Sequence, residues 1–208
     1  DGFDGIEAPY VDETNRATGS RWGGVQVYRR AEAAAVTATQ IKIGKWVLEL
    51  EDLMGLSYTT RRAIQDAAVH GRITADAFAS EFGFKIDDEI IRGTGAGQAQ
   101  GLLGANALIT VAKETGQAAA TIVPENLSKM WARLVARSRR NAVWLFNQDV
   151  EPQLDMLAYT VGTAGMEPKF VTYGPDGVLR IKGRPVLAVE QCESLGTLGD
   201  IFLADLSQ

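Results

Sequence analysis

The chain has 208 residues, of which 46% are hydrophobic and 23% charged, and its formal net charge is −5. This balance is typical of one large domain or two small lobes that share a core, and it excludes a chain that is mostly disordered. No stretch approaches the roughly 20 apolar residues of a membrane helix, and an acidic chain without a basic stripe is a poor general nucleic-acid binder, although specific phosphate contacts on a small patch stay open.

The N-terminal quarter is predicted to be extended. Residues 1–20 are polar and rich in Gly and Asp, which indicates an arm with little core of its own. Apolar and polar residues alternate over 25–29 and over 41–46, which predicts two strands with unlike faces. A two-stranded ribbon is marginal in water, so we expect a partner surface on this chain or on another.

Two helices are predicted over residues 50–92. The segment 50–71 has helical composition, with Thr59 or Thr60 as the expected N-cap of its helix, and the second helix starts near Thr74. Five apolar residues three or four apart in the second helix form one stripe that we expect to pack on a sheet: Ala75, Phe78, Phe82, Ile86 and Ile90. We attribute Gly83 to close packing, and we expect Gly93 to end the helix in the left-handed conformation.

A glycine-rich connector, residues 93–104, leads into two predicted short strands within 107–123. Pro124 suits the first turn of the next helix. Its expected buried stripe is Leu127, Met130, Trp131, Leu134 and Val135. The basic residues near its end, Arg137, Arg139 and Arg140, complement the negative end of the helix dipole.

The last third mixes strands with one helix. We predict a buried strand over 142–146, a helix over 150–161 with Pro152 in its first turn, and a last strand over 199–206. The residues Gly174-Pro175-Asp176-Gly177 predict a turn between two further strands. Helices and strands interleave without regular strand–helix–strand units, which favours an α+β fold.

The glycine connector fails as a nucleotide site. A dinucleotide fingerprint that begins at Gly93 and Gly95 would need glycine at position 98, where the chain has Gln98. A phosphate loop would need Ser or Thr after Gly44-Lys45, where the chain has Trp46. The connector is therefore interpreted as a flexible or tight link, and we expect no bound nucleotide.

Other reactive residues are few. With one cysteine, Cys192, and one histidine, His70, the chain can build neither an internal disulfide nor a multi-Cys or His-rich metal site. We interpret His70 as a helix-end residue that complements the dipole and Cys192 as an inert, partly buried thiol. The acidic pairs Asp87-Asp88 and Glu49-Glu51 are typical of solvated surface rather than of acid–base catalysis, and the arginines at 137–140 fit either a solvated helix end or an anion site. We therefore expect no catalytic group, metal or cofactor.

Three segments, in this order along the chain, carry a resemblance to a known family. They are the strand IKIGKWVLELEDL, the segment DDEIIRGTGAGQAQGLL and the segment IKGRPVLAVEQCESLGTLGDIFLADLSQ. In order and spacing they resemble the major capsid proteins of tailed phages with the Hong Kong 97 type fold. The first is similar to a family strand that precedes a short acidic-apolar turn, and the second to the end of the family's spine helix and the connector that follows it. The third is similar to the family's last stretch, with Ala204 in place of a usual glycine.

The resemblance covers nearly the whole chain and implies four parts. Residues 1–12 would be the N-terminal arm and residues 13–40 the E-loop, a β-hairpin. Residues 41–115 and 186–208 would form the peripheral domain with the long spine helix and a β-sheet, and residues 116–185 the axial domain. The family's scaffolding-like leader and final strand are not represented, so we expect a processed or truncated chain.

The implied function is that of a non-enzymatic shell subunit. It would self-assemble into pentamers and hexamers of an icosahedral phage or prophage head that encloses DNA without sequence specificity. Scaffold, protease and portal proteins would be its partners. The subunit would be located in the virion, and in the bacterial cytoplasm before assembly. Expected contacts to a neighbouring subunit are Arg21, Trp22, Arg29 and Arg30. Residues 13–40 contain no Lys, so the Lys–Asn crosslink of some members is not expected.

Two alternatives stay open. An encapsulin-like nanocompartment that encloses cargo enzymes has the same type of fold, and a neighbouring gene for a portal, protease or terminase would distinguish a phage shell from it. An enzyme of unknown class would need a pocket of convergent polar groups, which one histidine and one cysteine scarcely supply.

Overall fold

The chain, as a computed structural model, is described for residues 5–13, 17–29, 35, 37–61, 67–157, 159–161, 165–167 and 170–207. It divides into two units, Asp1–Met54 and Gly55–Gln208, which we describe one after the other. Helices and strands are mixed in the chain, in agreement with the α+β prediction.

Unit 1 is built on a two-stranded antiparallel ribbon. Strand β1, Gly5–Val11, pairs with β2, Ile43–Glu49, so that Ala8 lies opposite Trp46 and Tyr10 opposite Gly44. The arm predicted over residues 1–20 is extended and largely exposed over β1, as expected, but its pairing with β2 was not predicted. Every second residue of β1 from Ile6 to Tyr10 is apolar or aromatic, and this alternation gives the strand one apolar face.

The hairpin predicted for residues 13–40 is not a strand ladder in the described part of that range. Residues 25–29 form no strand, and β2 pairs with β1 instead. Backbone φ angles of 50° at Trp22, 67° at Gly23 and 92° at Gly24 place three consecutive residues in the left-handed region. Such a run turns the chain sharply and interrupts extended pairing. Residues 14–16, 30–34 and 36 lie outside the described part.

Unit 2 begins with residues 55–61, which form no helix, and continues into the helix α1, Ala67–Arg92. The prediction of two helices is therefore wrong. The single helix runs through Gly71 and Thr74, because one glycine costs a helix only about 1 kcal/mol. Neither Thr59 nor Thr60 caps a helix in the described residues, and residues 62–66 lie outside them.

The expected apolar stripe of α1 does not pack on the sheet. Phe78 and Phe82 are half-buried and stack with ring centroids 6.1 Å apart, and their rings lie against Gly55. Ala75 is exposed, as are Ile86 at 50% and Ile90 at 52%, whereas Ile91 is buried at 3%. The stripe was misplaced because its two phenylalanines lie against Gly55, while the α1 residue in the described core is Ile91 of the last turn.

The connector after α1 is tight rather than flexible. Gly93 ends the helix without a positive φ, so the left-handed prediction is wrong there; the positive angles are 75° at Gly95 and 65° at Gly97. The Gly101 amide donates to the Gly93 carbonyl over 2.8 Å. A Cβ on Gly93 would collide with the Ala99 carbonyl oxygen, so the close approach of two backbones requires glycine.

Beyond a 3-10 turn at Leu102–Gly104, the chain reaches α2 without the two predicted strands. Residues 107–123 contain a turn in which the Gln117 amide donates to the Glu114 carbonyl over 3.1 Å, but no strand. Helix α2 covers Pro124–Arg133, and its start at Pro124 was predicted correctly. A 3-10 turn at Ser138–Arg140 follows, so the predicted helix end at the arginines was too late.

The remaining elements form a five-stranded sheet and a separate hairpin. Strand β3 covers Val143–Phe146, and the short helix α3 covers Glu151–Asp155, less than the predicted 150–161. Strands β4, Tyr159–Val161, and β5, Gly165–Glu167, pair with each other. Strands β6, β7, β8 and β9 cover Val171–Tyr173, Leu179–Ile181, Arg184–Ala188 and Ile201–Ala204. The sheet order is β6-β7-β8-β3-β9, in which only β3 and β8 are parallel.

The two faces of this sheet bury two apolar clusters. Alternation along β3 puts Trp144 and Phe146 on one face, where they pack with Leu127 of α2 and Leu154 of α3. The Trp144 Nε1–H donates to the Ile181 carbonyl over 3.2 Å, so this buried indole is hydrogen-bonded. On the other face, a second cluster joins Ile91 at the end of α1 to residues of β3, β9 and the loop after β8: Leu145, Phe202 and Cys192.

Candidate assembly surfaces

The ribbon of unit 1 has one apolar face that no other described residue of this unit covers. The register places Ile6 opposite Leu48 and Ala8 opposite Trp46 on that face. The rings of Tyr10 and Trp46 pack edge to face, with their centroids 5.3 Å apart. Even so, Ile6, Trp46 and Leu48 are 65%, 56% and 58% exposed. Exposed apolar patches of this kind mark protein–protein contact surfaces.

The opposite face of the ribbon carries charge. Lys45 Nζ lies 2.8 Å from Glu7 Oε2, and both side chains are exposed. An exposed pair of this kind contributes about 0–1 kcal/mol and does little to hold the strands together. That face also carries Val11, Ile43 and Val47, so it is mixed in character, and a two-stranded ribbon of this kind calls for cover by a partner surface.

Unit 1 has almost no interior of its own. Among its described residues, Gly23 alone is buried. A Cβ on Gly23 would lie 2.8 Å from the Lys42 carbonyl oxygen, and the Gly23 carbonyl accepts the Lys42 amide over 2.9 Å. This close backbone contact holds residues 21–24 at the base of the strand β2.

The structure describes three of the four predicted contact residues. Arg21 and Trp22 are neighbours in the 3-10 turn at Arg21–Gly24, and Trp22 is 60% exposed. The Trp22 amide donates to Glu13 Oε2 over 3.3 Å. Arg29 is exposed in the irregular stretch after this turn, and Arg30 lies outside the described part. Sequence reasoning missed the apolar ribbon face, although the alternation of Ile6, Ala8 and Tyr10 signals it.

The outer face of α1 is open as well. Val69, Ile73, Ile86 and Ile90 are exposed apolar residues on this helix. The prediction that Gly83 serves close packing is wrong for this chain alone, because nothing lies within 4 Å of a Cβ built there. The exposed acidic residues of α1 are Asp76, Glu81 and Asp87.

The lone histidine has a structural contact. His70 Nε2 lies 2.8 Å from Thr59 Oγ1, which ties residues 55–59 to α1. The predicted place of His70 at a helix C-terminus is wrong, because α1 continues for more than twenty residues beyond it. A dipole contact to a C-terminal helix end is therefore not available to it.

Cys192 is a buried thiol, and the residues of the two acidic pairs are exposed except for Asp88. Cys192 is buried, and burial raises the pKa of its thiol to about 11, which makes it a poor nucleophile. Asp88 forms ion pairs with Lys85 and Arg92 at 3.3 and 3.6 Å, while Asp87 is exposed. Glu49 and Glu51 are exposed too.

One arginine of the 137–140 cluster serves the helix end, as predicted. The Arg139 Nη2 donates to the Trp131 carbonyl in the last turn of α2 over 3.1 Å. Its guanidinium also lies 5.3 Å from the centroid of the Trp131 ring. Arg137 and Arg140 remain exposed.

An apolar groove of unit 2 lies between α2 and the loop that precedes β9. Leu108, Ile109, Leu127 and Leu198 are among its lining residues, and Lys113 and Asp200 are the ionisable ones. The Asp200 carboxylate accepts the amides of Gly196 and Ile201, so it is engaged in the loop. The groove therefore does not bring together an acid, a base and a nucleophile.

Two further features are absent from the described residues. In that part of the chain, no cluster of three or more His, Cys, Asp and Glu residues could hold a metal ion. Within the same residues, no helix combines the length and the apolar character needed to cross a membrane.

Two solved structures share this fold, and both are shell proteins. The "Capsid of native GTA particle computed with C5 symmetry" has 17% sequence identity and a TM-score of 0.65, and the match covers 98% of this chain and 69% of that chain. The "Capsid of empty GTA particle computed with C5 symmetry" has 18% identity and a TM-score of 0.63, over 97% and 68% of the two chains. The fold is therefore that of a capsid protein.

The family follows from the sequence itself. The sequence model of the phage capsid family matches residues 4–208, so the chain belongs to the phage capsid family. A comparison with curated proteins found no match. The resemblance seen in the sequence is thereby confirmed, and a structural role in a capsid is favoured over the enzyme and nanocompartment alternatives.

Proposed function

We propose that the chain is a subunit of the icosahedral head shell of a phage or prophage, and that this subunit has the Hong Kong 97 type fold. The observation that carries this proposal is the exposed apolar face of the β1–β2 ribbon in a unit with almost no interior. Since burial of apolar surface drives association, a second subunit is the natural cover for this face. Membership of the phage capsid family supports the same conclusion.

The parts of the subunit are assigned accordingly. Helix α1 is the spine helix, residues 13–40 are the E-loop, and residues 1–12 are the arm. Residues 41–115 and 186–208 form the peripheral domain, and residues 116–185 form the axial domain. In this assignment the subunits gather into pentamers and hexamers through their axial domains.

The E-loop contacts a neighbouring subunit through Arg21, Trp22, Arg29 and Arg30. Charge complementarity supports this contact, because α1 presents the exposed carboxylates of Asp76, Glu81 and Asp87. Each exposed ion pair contributes only about 0–1 kcal/mol. The contact must therefore be repeated around the shell, with Trp22 supplying apolar burial at each copy.

Further partners belong to the same proposal. The closed shell encloses DNA without reading its sequence, and scaffold, protease and portal proteins act during assembly. The subunit resides in the cytoplasm of a bacterial host until it enters the virion. No catalytic group, metal or cofactor takes part in this role.

Deletion of residues 18–38 tests the proposal. Unit 2 has its own buried core, so the deletion variant should stay soluble and folded by circular dichroism, yet electron microscopy should show no closed shells. A milder variant replaces Arg21, Arg29 and Arg30 with Gln, and its matched control replaces the exposed Arg61, Arg72 and Lys113 with Gln. We expect the first triple variant to lose assembly and the second to retain it. Normal shells from the deletion variant would refute the E-loop assignment.

A further inference from the structure

The sheet of unit 2 gathers basic residues at one end. The strand register brings the starts of β3 and β8 and the ends of β7 and β9 to this end. The described basic residues there are Arg137, Arg139, Arg140, Lys182 and Arg184. Arg184 donates to the Arg140 carbonyl, which places the two residues side by side. The described carboxylate at this end is Asp205, whose pKa is lowered chiefly by a hydrogen bond from Ser207 and also by the charge of Arg137.

The opposite end of the same sheet is acidic. Asp149 and Glu151 follow β3, Glu190 and Glu193 follow β8, Asp176 precedes β7, and Asp200 precedes β9. Arg180 and Arg92 pair with Asp176 and Glu193 at 2.7 and 3.3 Å. Asp149, Glu151 and Glu190 are exposed and carry the remaining charge.

One side chain holds part of this acidic end in place. The Asn147 amide nitrogen donates to the carbonyls of Glu190 and Cys192, over 3.2 and 2.9 Å. Its oxygen accepts the Asp149 amide over 3.0 Å. Asp149 and Glu190 therefore belong to one patch, and the sheet carries opposite charge at its two ends.

We propose that the basic end of this sheet docks on the acidic end of the sheet in a second copy of the chain. The inference rests on the proposed function, since it names a contact through which the shell subunits associate. Charge complementarity selects this occupant, because the chain itself presents both partners. The two patches lie at opposite ends of one sheet, so they do not meet within one copy. Matching opposite charge steers association and disfavours like-to-like pairing.

The contact has a direction. Basic-to-acidic docking is heterologous, because each subunit uses two different patches and leaves one of each free for the next copy. When such a contact repeats, each added subunit has the same orientation relative to the one before it. The contact should also weaken at high salt, since exposed charges are screened within about 8 Å at physiological ionic strength.

Two charge-reversed variants test the proposal. The first carries Arg137→Glu and Arg140→Glu, which cancels the net positive charge of the basic end; the second carries Asp149→Lys and Glu190→Lys, which puts positive charge at two of the three exposed carboxylates of the acidic end. All four side chains are exposed. Sedimentation velocity at low salt should show each variant alone associating at least tenfold more weakly than the unaltered chain. A mixture of the two should regain association, and 0.5 M salt should remove it. The control, Arg72→Glu with Lys113→Glu, should associate normally.

Three results would overturn the proposal. The first is normal association of either variant alone, and the second is a mixture that stays dissociated. The third is that the basic-end variant loses binding to a labelled 30-base-pair DNA while both variants self-associate normally, which would assign the basic end to nucleic acid. If the mixture pairs as expected but the unaltered chain never forms closed shells, the proposed function fails and this contact stands.

Discussion

Replacement of Gly83 by Ala should stabilise the isolated subunit. Gly83 lies inside α1, and nothing stands within 4 Å of a Cβ built there, so the added methyl group meets open space. Alanine is better than glycine in a helix interior by about 0.8–1.0 kcal/mol. For a protein of this size, about 1 kcal/mol raises the melting temperature by roughly 2–4 °C.

Replacement of a second glycine in the same helix by Ala tests the same reasoning independently. Gly71 is also open, and the helical rise puts it about 18 Å from Gly83, so the two effects should add to about 2 kcal/mol. Gly93→Ala is the opposite control, because its Cβ would collide with backbone, and it should destabilise the subunit. Melting curves and urea titrations of unassembled protein measure all three. A loss of stability in Gly83→Ala would show that the outer face of α1 is covered within the subunit, and it would refute this reasoning.

Two more predictions concern the interior of unit 2. Leu127→Ala removes a side chain that is 0% exposed and should lower the free energy of unfolding by about 2–5 kcal/mol in urea titrations, whereas a loss below 1 kcal/mol would mean that α2 is not part of the core. Because burial raises the pKa of Cys192 to about 11, its thiol stays protonated in the folded subunit at pH 8 and should react with maleimide much more slowly than in urea. Equal rates in the folded and unfolded protein would contradict this burial.

The sheet and its turns were predictable because local sequence and tertiary structure agree there. The run 142–146 is apolar enough for a central strand, and Pro175 and Gly177 mark a turn between β6 and β7. Pro124 opens α2 where its fixed φ and missing amide fit. These positions satisfy local preference and core packing at once, so sequence reasoning alone found them.

The failures lie where packing or long-range pairing decides. The partner of β2 is β1, more than thirty residues earlier in the chain, and no local pattern specifies a pairing of that range. The stripe of α1 was read as a core face because apolar periodicity is the same whether another subunit or the subunit's own sheet covers it. The opposite charge at the two ends of the sheet depends on strand order, which the sequence does not state.

The attachment of α1 has a mechanical consequence. In the described residues, the helix joins the buried core of unit 2 at its last turn, through Ile91 and through the hydrogen bond of Arg92 Nε to the Gln191 carbonyl at 2.8 Å. Its 26 residues span about 39 Å, so a rotation of 10° about this base moves the far end by about 7 Å. The connector after the helix, tightened by the close backbone contact at Gly93, keeps the attached end of the helix rigid. A small rotation of α1 about its last turn thus produces a much larger displacement of its N-terminal end, without repacking of the sheet.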